Sequence, residues 1–150
     1  VYFRVDGVPV PQGSSRAFVV KGRAVVAPSN SNVLKPWRRR VREAAEAAMG
    51  GRAALDGPLA VMLQFQVPRP ATVTREWPTV APDLDKLVRA VLDGLVEGGV
   101  IVDDSRVVRL ITEEEYGAPG VSVSVSEIPA GSLAGQVFAD GPWAEGMEVA

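Results

Sequence analysis

The sequence predicts an α+β fold: a mixed β-sheet of about five strands, two helices packed against it and a flexible C-terminal tail. Three observations carry this. Two segments, one around Trp37 to Ala48 and one from Leu84 to Leu95, place apolar residues at the three- and four-residue spacing of an amphipathic helix. Several short segments rich in Val, Ile and Phe, bounded by Gly, Pro or Asn, read as strands. Residues 129–150 are rich in Gly, Ala and acidic side chains and show no sustained period, which is the pattern of a tail. The expected order is strand, hairpin, helix, strand, helix, strand, strand, with a folded domain over 1–128 and the tail over 129–150.

Taken in order, Tyr2-Phe3-Arg4-Val5 is the first strand, and Asp6-Gly7 with Pro9 and Pro11 turns the chain. The loop Gln12-Gly13-Ser14-Ser15-Arg16 can offer N–H groups and the Arg16 guanidinium to a phosphate, although it lacks Walker spacing. Phe18-Val19-Val20 and Ala24-Val25-Val26 flank Lys21-Gly22-Arg23 as a hairpin with a basic tip. A polar run from Ser29 to Asn32 leads into a helix whose first position suits Pro36 and whose inner face carries Trp37, Val41, Ala44, Ala45 and Ala48. Gly50-Gly51 ends it. Leu59 to Val67 is a strong strand, and a Thr- and Pro-containing loop with Arg69, Arg75 and Trp77 runs on to Pro82, with Trp77 expected to fold onto the core. Asp83 is placed to cap the second helix, Gly98-Gly99 stops it, and Val100-Ile101-Val102 reads as a buried strand. Arg106 to Ile111 and Val121 to Val125 complete the sheet, joined through Glu113-Glu114-Glu115 and Gly117 to Gly120.

Composition excludes whole classes of chemistry. The 150 residues are 47% hydrophobic, enough for one domain with a core that needs no disulfides, and there is no cysteine. That removes thiol nucleophiles and Cys-based zinc sites and fits a cytoplasmic setting. The absence of histidine removes Ser-His-Asp triads, histidine bases and most zinc hydrolases. Nothing argues for a membrane or for export, and an opening Val1 instead of Met is expected of a trimmed or processed start. The formal charge is −2, but all 16 Lys and Arg precede residue 110, while four of the 18 acids (Glu127, Asp140, Glu145, Glu148) follow residue 126. Residues 1–126 therefore hold 16 positive and 14 negative side chains. Five of the eight residues from Lys35 to Arg42 are basic, and Arg38, Arg39 and Arg42 share the outer helix face. This is the best footprint for a phosphate backbone, and the competing reading is a solvated face paired with Glu43 and Glu46.

The acidic residues around the second helix carry the chemistry. A compact unit is expected to return Asp104 towards the helix start, where Asp83 and Asp85 lie, so that three carboxylates share one small volume. Like charges so close need a cation between them, and oxygen ligands without His or Cys select Mg2+, with Mn2+ as its substitute. Mg2+ takes phosphate oxygens as further ligands, which points to metal-assisted hydrolysis of a phosphodiester. The plainer alternative keeps Asp83 as a cap and Asp103-Asp104-Ser105 as a turn.

The runs Pro82-Asp83-Leu84-Asp85-Lys86-Leu87, Leu92-Asp93-Gly94-Leu95 and Val102-Asp103-Asp104-Ser105-Arg106-Val107-Val108, in this order and at this spacing, resemble the RusA-type Holliday-junction resolvases of bacteriophages and prophages. The resemblance is strongest from Pro82 to Val108 and looser from about Tyr2 to Glu127. It implies a homodimeric, Mg2+-dependent endonuclease that cuts four-way DNA junctions in the bacterial cytoplasm, with metal-binding aspartates at Asp83, Asp85 and Asp104. Lys86 stands where the family often has Asn, and Arg89 where it has a functional lysine; arginine keeps the charge but binds phosphate as a fork. Arg89 is expected to contact the scissile phosphate or its neighbour, or else to pair within the row Asp85, Arg89, Asp93 and Glu97. The expected DNA contacts are Arg16, Lys35, Arg38, Arg39, Arg42, Arg69, Lys86, Arg89 and Arg106. The dimer surface is sought near Val121 to Val125 or on the hairpin. Two rival readings are a DNA-binding protein without nuclease activity and a Mg2+ nuclease for flaps or forks.

Overall fold

The computed structural model describes residues 1–13, 15–20, 23–28 and 30–131, with side chains described outside 14–29. The expected tail beyond residue 131 and the hairpin tip Lys21-Gly22 lie outside the described residues.

The elements follow the predicted order: β1 (Tyr2–Asp6), β2 (Ser15–Val20), β3 (Arg23–Pro28), α1 (Ser31–Met49), β4 (Leu59–Val67), α2 (Leu84–Glu97), a 3-10 turn (Asp104–Arg106), β5 (Val107–Tyr116) and β6 (Gly120–Glu127). Four strands form a mixed sheet in the order β1-β6-β4-β5, and β2-β3 is a separate antiparallel ribbon. The count is close to the five expected, and the fold is α+β. Strands β4 and β5 are parallel while the other pairs are antiparallel. Parallel neighbours cannot be joined by a tight turn, so the chain from 68 to 106 must cross over, and α2 is that crossover.

The period of two in the strands places Phe3 and Val5, then Leu59, Val61, Leu63 and Phe65, then Val121, Val123 and Val125 in one buried cluster. Leu34, Trp37, Val41, Ala45 and Met49 of α1 and Leu87, Val88, Val91 and Leu95 of α2 complete it. The two helices also pack directly on each other. A Cβ built at Gly94 would lie 2.6 Å from Val41, and one at Gly98 would lie 2.5 Å from Ala45. These glycines, one turn apart, let the helix backbones approach to a distance no larger residue permits.

Several local expectations are corrected. Helix α1 begins at Ser31, so Pro36 lies inside it instead of opening it. The bond its missing N–H would make goes to Asn32, which is exposed and can use water. Val100-Ile101-Val102 forms no strand; Ile101 makes one parallel bridge with Leu55. Glu113 to Glu115 belong to β5, where Glu115 accepts from Gln64 (3.1 Å) and Gln66 (2.7 Å). Trp77 is 52% exposed, not folded onto the core. Val121–Val125 is no edge, because β6 lies between β1 and β4 and its inward residues are buried. The edges are β1 and β5.

Candidate active site

The start of α2 is the chemically richest point of the described chain. Asp83 occupies the N-cap position with extended backbone angles, and its carbonyl accepts from the N–H groups of Lys86 (3.1 Å) and Leu87 (3.2 Å). Its carboxylate does not cap the helix. That group instead forms an ion pair with Lys86, one turn on, and the Asp83 hydrogen bond is the main cause that raises the lysine's pKa. Asp85 is exposed in the first turn, where the helix dipole favours negative charge. Asp83 thus stands at the cap position without a capping side-chain bond, its exposed carboxylate held by Lys86.

Arg89 follows on the next turn and is exposed. Its row suggested pairing with Asp85 or Asp93, but the tertiary structure diverts the acids below it. Arg38 of α1 takes both Asp93 (3.6 Å) and Glu97. Among the described residues Arg89 has no hydrogen-bond or ion-pair partner.

Neighbouring segments converge on the same helix start. The N–H of Gln12 donates to the carbonyl of Lys86 (2.9 Å), and the side chain of Asn30 donates to Pro11 (2.7 Å) while accepting from Gly13 (3.4 Å). The loop singled out for phosphate binding is thus pinned between the beginnings of α1 and α2. Arg16 lies on β2 just beyond it, and its side chain is outside the described residues. On the opposite approach, Arg69 is an organiser of its own loop. It donates to the carbonyls of Val73 (3.2 Å), Thr74 (3.0 Å) and Arg75 (2.9 Å), and its guanidinium stands 5.4 Å from the Tyr116 ring centre.

Beyond the other end of α2, Asp103 and Asp104 divide two tasks between them. The Asp103 carboxylate accepts from the Ser105 N–H (2.9 Å), which starts the 3-10 turn, and the Ser105 side chain and then this backbone bond hold its pKa below the usual value. Asp104, the first residue of that turn, is exposed. The turn packs against α2, and Arg106 reaches across to Asp56 at 2.8 Å. Among the described residues no group of three or more acidic side chains is placed to hold a metal ion together. The single chain thus presents Asp83 and Asp85 as a pair, and Asp104 does not close a three-carboxylate set with them.

The basic face of α1 is a cleft of about 330 Å³ lined by Lys35, Arg38, Arg39 and Arg42 together with Glu97. Arg39 meets Glu43 at 3.7 Å and Arg42 meets Glu46 at 3.5 Å, the pairs that the solvated-face reading expects. Such exposed pairs contribute only ~0.3–0.5 kcal/mol, so a phosphate can displace either carboxylate. Lys35 is exposed and has no partner among the described residues. Arg38, tied to α2, is the least free of the set.

Sequence reasoning overlooked two features here. Glu114 and Tyr116 read as loop residues, yet both line a cleft at the C-terminal ends of β4 and β5, next to Pro82. Gly94 gave no signal beyond its place in Leu-Asp-Gly-Leu, since a helical glycine's neighbour across the interface is not written locally.

No helix among the described residues is long and apolar enough to cross a membrane. A search of curated proteins found no match. A family model described as endodeoxyribonuclease RusA matches residues 6–126, a span that holds the exposed Asp83, Asp85, Arg89 and Asp104. The chain belongs to the RusA endodeoxyribonuclease family.

Proposed function

We propose that this chain is a Mg2+-dependent nuclease that resolves four-way DNA junctions by paired nicks, working as a homodimer. The observation that carries the reading is the start of α2, where Asp83 leaves its helix uncapped, Asp85 is open beside it and Arg89 has no partner. All-oxygen donors of this kind fit a hard divalent cation, with Mn2+ as the natural substitute for Mg2+. Bound there, such an ion supplies activated water and charge neutralisation at the scissile phosphate. Asp83 and Asp85 would hold it, and Lys86 must then release Asp83. Arg89 would orient a phosphate oxygen, while Lys35, Arg39 and Arg42 hold the backbone of a DNA arm. Arg16, Lys86 and Arg106 are further phosphate contacts in this reading, and Arg38 and Arg69 act by positioning α2 and the loop before it.

Two considerations support the dimer. Two nicks at symmetry-related positions need two sites at a fixed separation, which a two-fold assembly provides. Among the described residues no three acidic side chains group to hold one ion, and in the dimer reading a carboxylate of a second copy would join Asp83 and Asp85. The edge strand β5 offers the surface, with Val108 and Leu110 exposed on it and Val102 exposed just before the 3-10 turn.

The test is cleavage of labelled four-way, three-way and linear duplex DNA with and without Mg2+, followed by subunit mixing. Four-way junctions are expected to be cut in symmetric pairs only with the metal present. Asp85→Asn and Asp104→Asn, each inactive alone, should restore one another when mixed if the acidic set spans two chains. A mixture that stays inactive would return Asp104 to its own chain's site, and equal cutting of linear duplex would remove the junction assignment.

A further inference from the structure

The contacts between the two helices fix their relative direction. Val41 lies against Gly94 and Ala45 against Gly98, one turn further on in both helices. Helices α1 and α2 therefore run the same way, and Arg38 reaches Asp93 and Glu97 across the line where they meet. One loop ties their starts together: Gln12 donates to the Lys86 carbonyl, and Asn30, at the N-cap of α1, holds Pro11 and Gly13. The basic cleft is the furrow between the two helices, with Lys35, Arg39 and Arg42 on its α1 side and Glu97 on its α2 side. Arg89 lies one turn before Asp93 on the same side of α2, and Asp85 one turn before that. On α2 this row thus starts at the proposed metal pair and ends in the cleft.

We propose that the DNA strand being cut continues from the acidic pair along this furrow, its successive phosphates meeting Arg89 and Lys35 first, then Arg39, and Arg42 last. The path takes its starting point from the junction-nuclease reading and turns a set of basic residues into an ordered track. Charge supports it. The acids on the α2 side are taken up by Arg38, while Arg39 and Arg42 are met only by exposed acids of their own helix, which a phosphate displaces. The walls of the cleft hold no aromatic side chain on which a base could stack, so backbone and not base is what they receive. Length supports it too. From Asp85 to Glu97 the helix rises about 18 Å, the span of roughly three to five nucleotides of one strand. Because Gly94 and Gly98 lock the helices together, the spacing of these contacts is set by the fold.

Binding of four-way junctions that carry one neutral methylphosphonate at a time reads the path, without divalent cation so that no cleavage intervenes. Neutral links within roughly three to five nucleotides of the cut, on the cut strand, are expected to weaken binding about threefold or more. Arg89→Ala should make one of these positions insensitive and Arg42→Ala another, farther from the cut on the same strand, each variant leaving the other's position sensitive. Both substitutions are on exposed side chains, and unchanged melting temperatures are expected. Two variants that silence the same phosphate, silenced phosphates on different strands, or an Arg42→Ala scan identical to that of the unaltered protein would overturn the path. If the unaltered protein binds junctions and cuts none, the function proposed above fails, and the path is still decided by whether the two silenced phosphates share a strand. Absence of any DNA binding overturns both.

Discussion

The two halves of α2 are built from similar residues and put to opposite uses. In the C-terminal half, Gly94 and Gly98 sit against Val41 and Ala45, and the acids Asp93 and Glu97 are both taken up by Arg38. In the N-terminal half, Asp83, Asp85 and Arg89 are exposed, and the ion pair between Asp83 and Lys86 is exposed too. One end of the helix satisfies its charges within the fold; the other leaves them exposed. The acids of α2 thus differ according to whether a cation of α1 stands opposite them, as Arg38 does for Asp93 and Glu97.

The largest effect expected is on activity. Asp83→Asn and Asp85→Asn should each lower cleavage by on the order of 10²-fold or more, with melting temperature and junction affinity close to the unaltered protein. Asp93→Asn, one helical half away, should leave the cleavage rate within about twofold, since Asp93 is paired with Arg38 and stands away from the helix start. Equal losses at both ends would erase the division of the helix, and gel-based single-turnover assays measure it directly.

Stability should show the reverse pattern. Gly94→Ala drives a methyl group into Val41 and is expected to cost about 1–3 kcal/mol, read as a lower urea midpoint. Leu84→Ala at the other end removes a half-buried side chain at the rim of the core and should cost less. If Gly94→Ala were neutral, the close approach of the helices would not be what orders the lower half.

Next comes salt-dependent DNA binding, where Arg89→Ala is set against Arg38→Ala. Removal of one phosphate contact lowers the slope of log K against log salt by roughly 0.9 on duplex DNA. The Arg89 variant should lose about that much and the Arg38 variant nearly none, because Arg38 is held by Asp93 and Glu97. A slope that changes for Arg38 and not for Arg89 would reverse the assignment of the two arginines.

The smallest effect is a pH dependence at Glu114, whose carboxyl is raised by burial and shares its cleft with Arg75. A carboxyl with a higher pKa in the folded than in the unfolded chain gives stability that is complete below the ordinary value of 4.5 and is lost as pH rises through the folded value. Glu114→Gln should therefore be more stable than the unaltered protein at neutral pH, and the difference should close below pH 4.5. Urea titrations at several pH values measure it; a constant difference would mean that the carboxyl is not desolvated.

The sequence by itself determined the two helices and most of the strands, Val100 to Val102 excepted, because period and boundary residues are local properties. The rows Leu84 to Leu95 and Leu59 to Val67, the stops at Gly50 and Gly98, and the α+β order could all be read without a partner in view. It also excluded imidazole and thiolate chemistry, since the chain has no histidine and no cysteine, and its runs from Pro82 to Val108 carry the family resemblance. Tertiary structure alone decided how the charges pair. No local rule tells Asp93 to prefer Arg38 over Arg89, or Asp83 to leave its helix uncapped, since both outcomes depend on what is packed alongside. It decided as well that β6 is internal and β5 an edge, since strand neighbours are set by how the whole chain buries its apolar face. The same applies to Glu114 and Tyr116, which the sequence shows only as residues near a turn. Strand pairing and the folded-back loop before α2 turn them into the floor of a cleft, because burial is a property of the assembled fold and not of the residue.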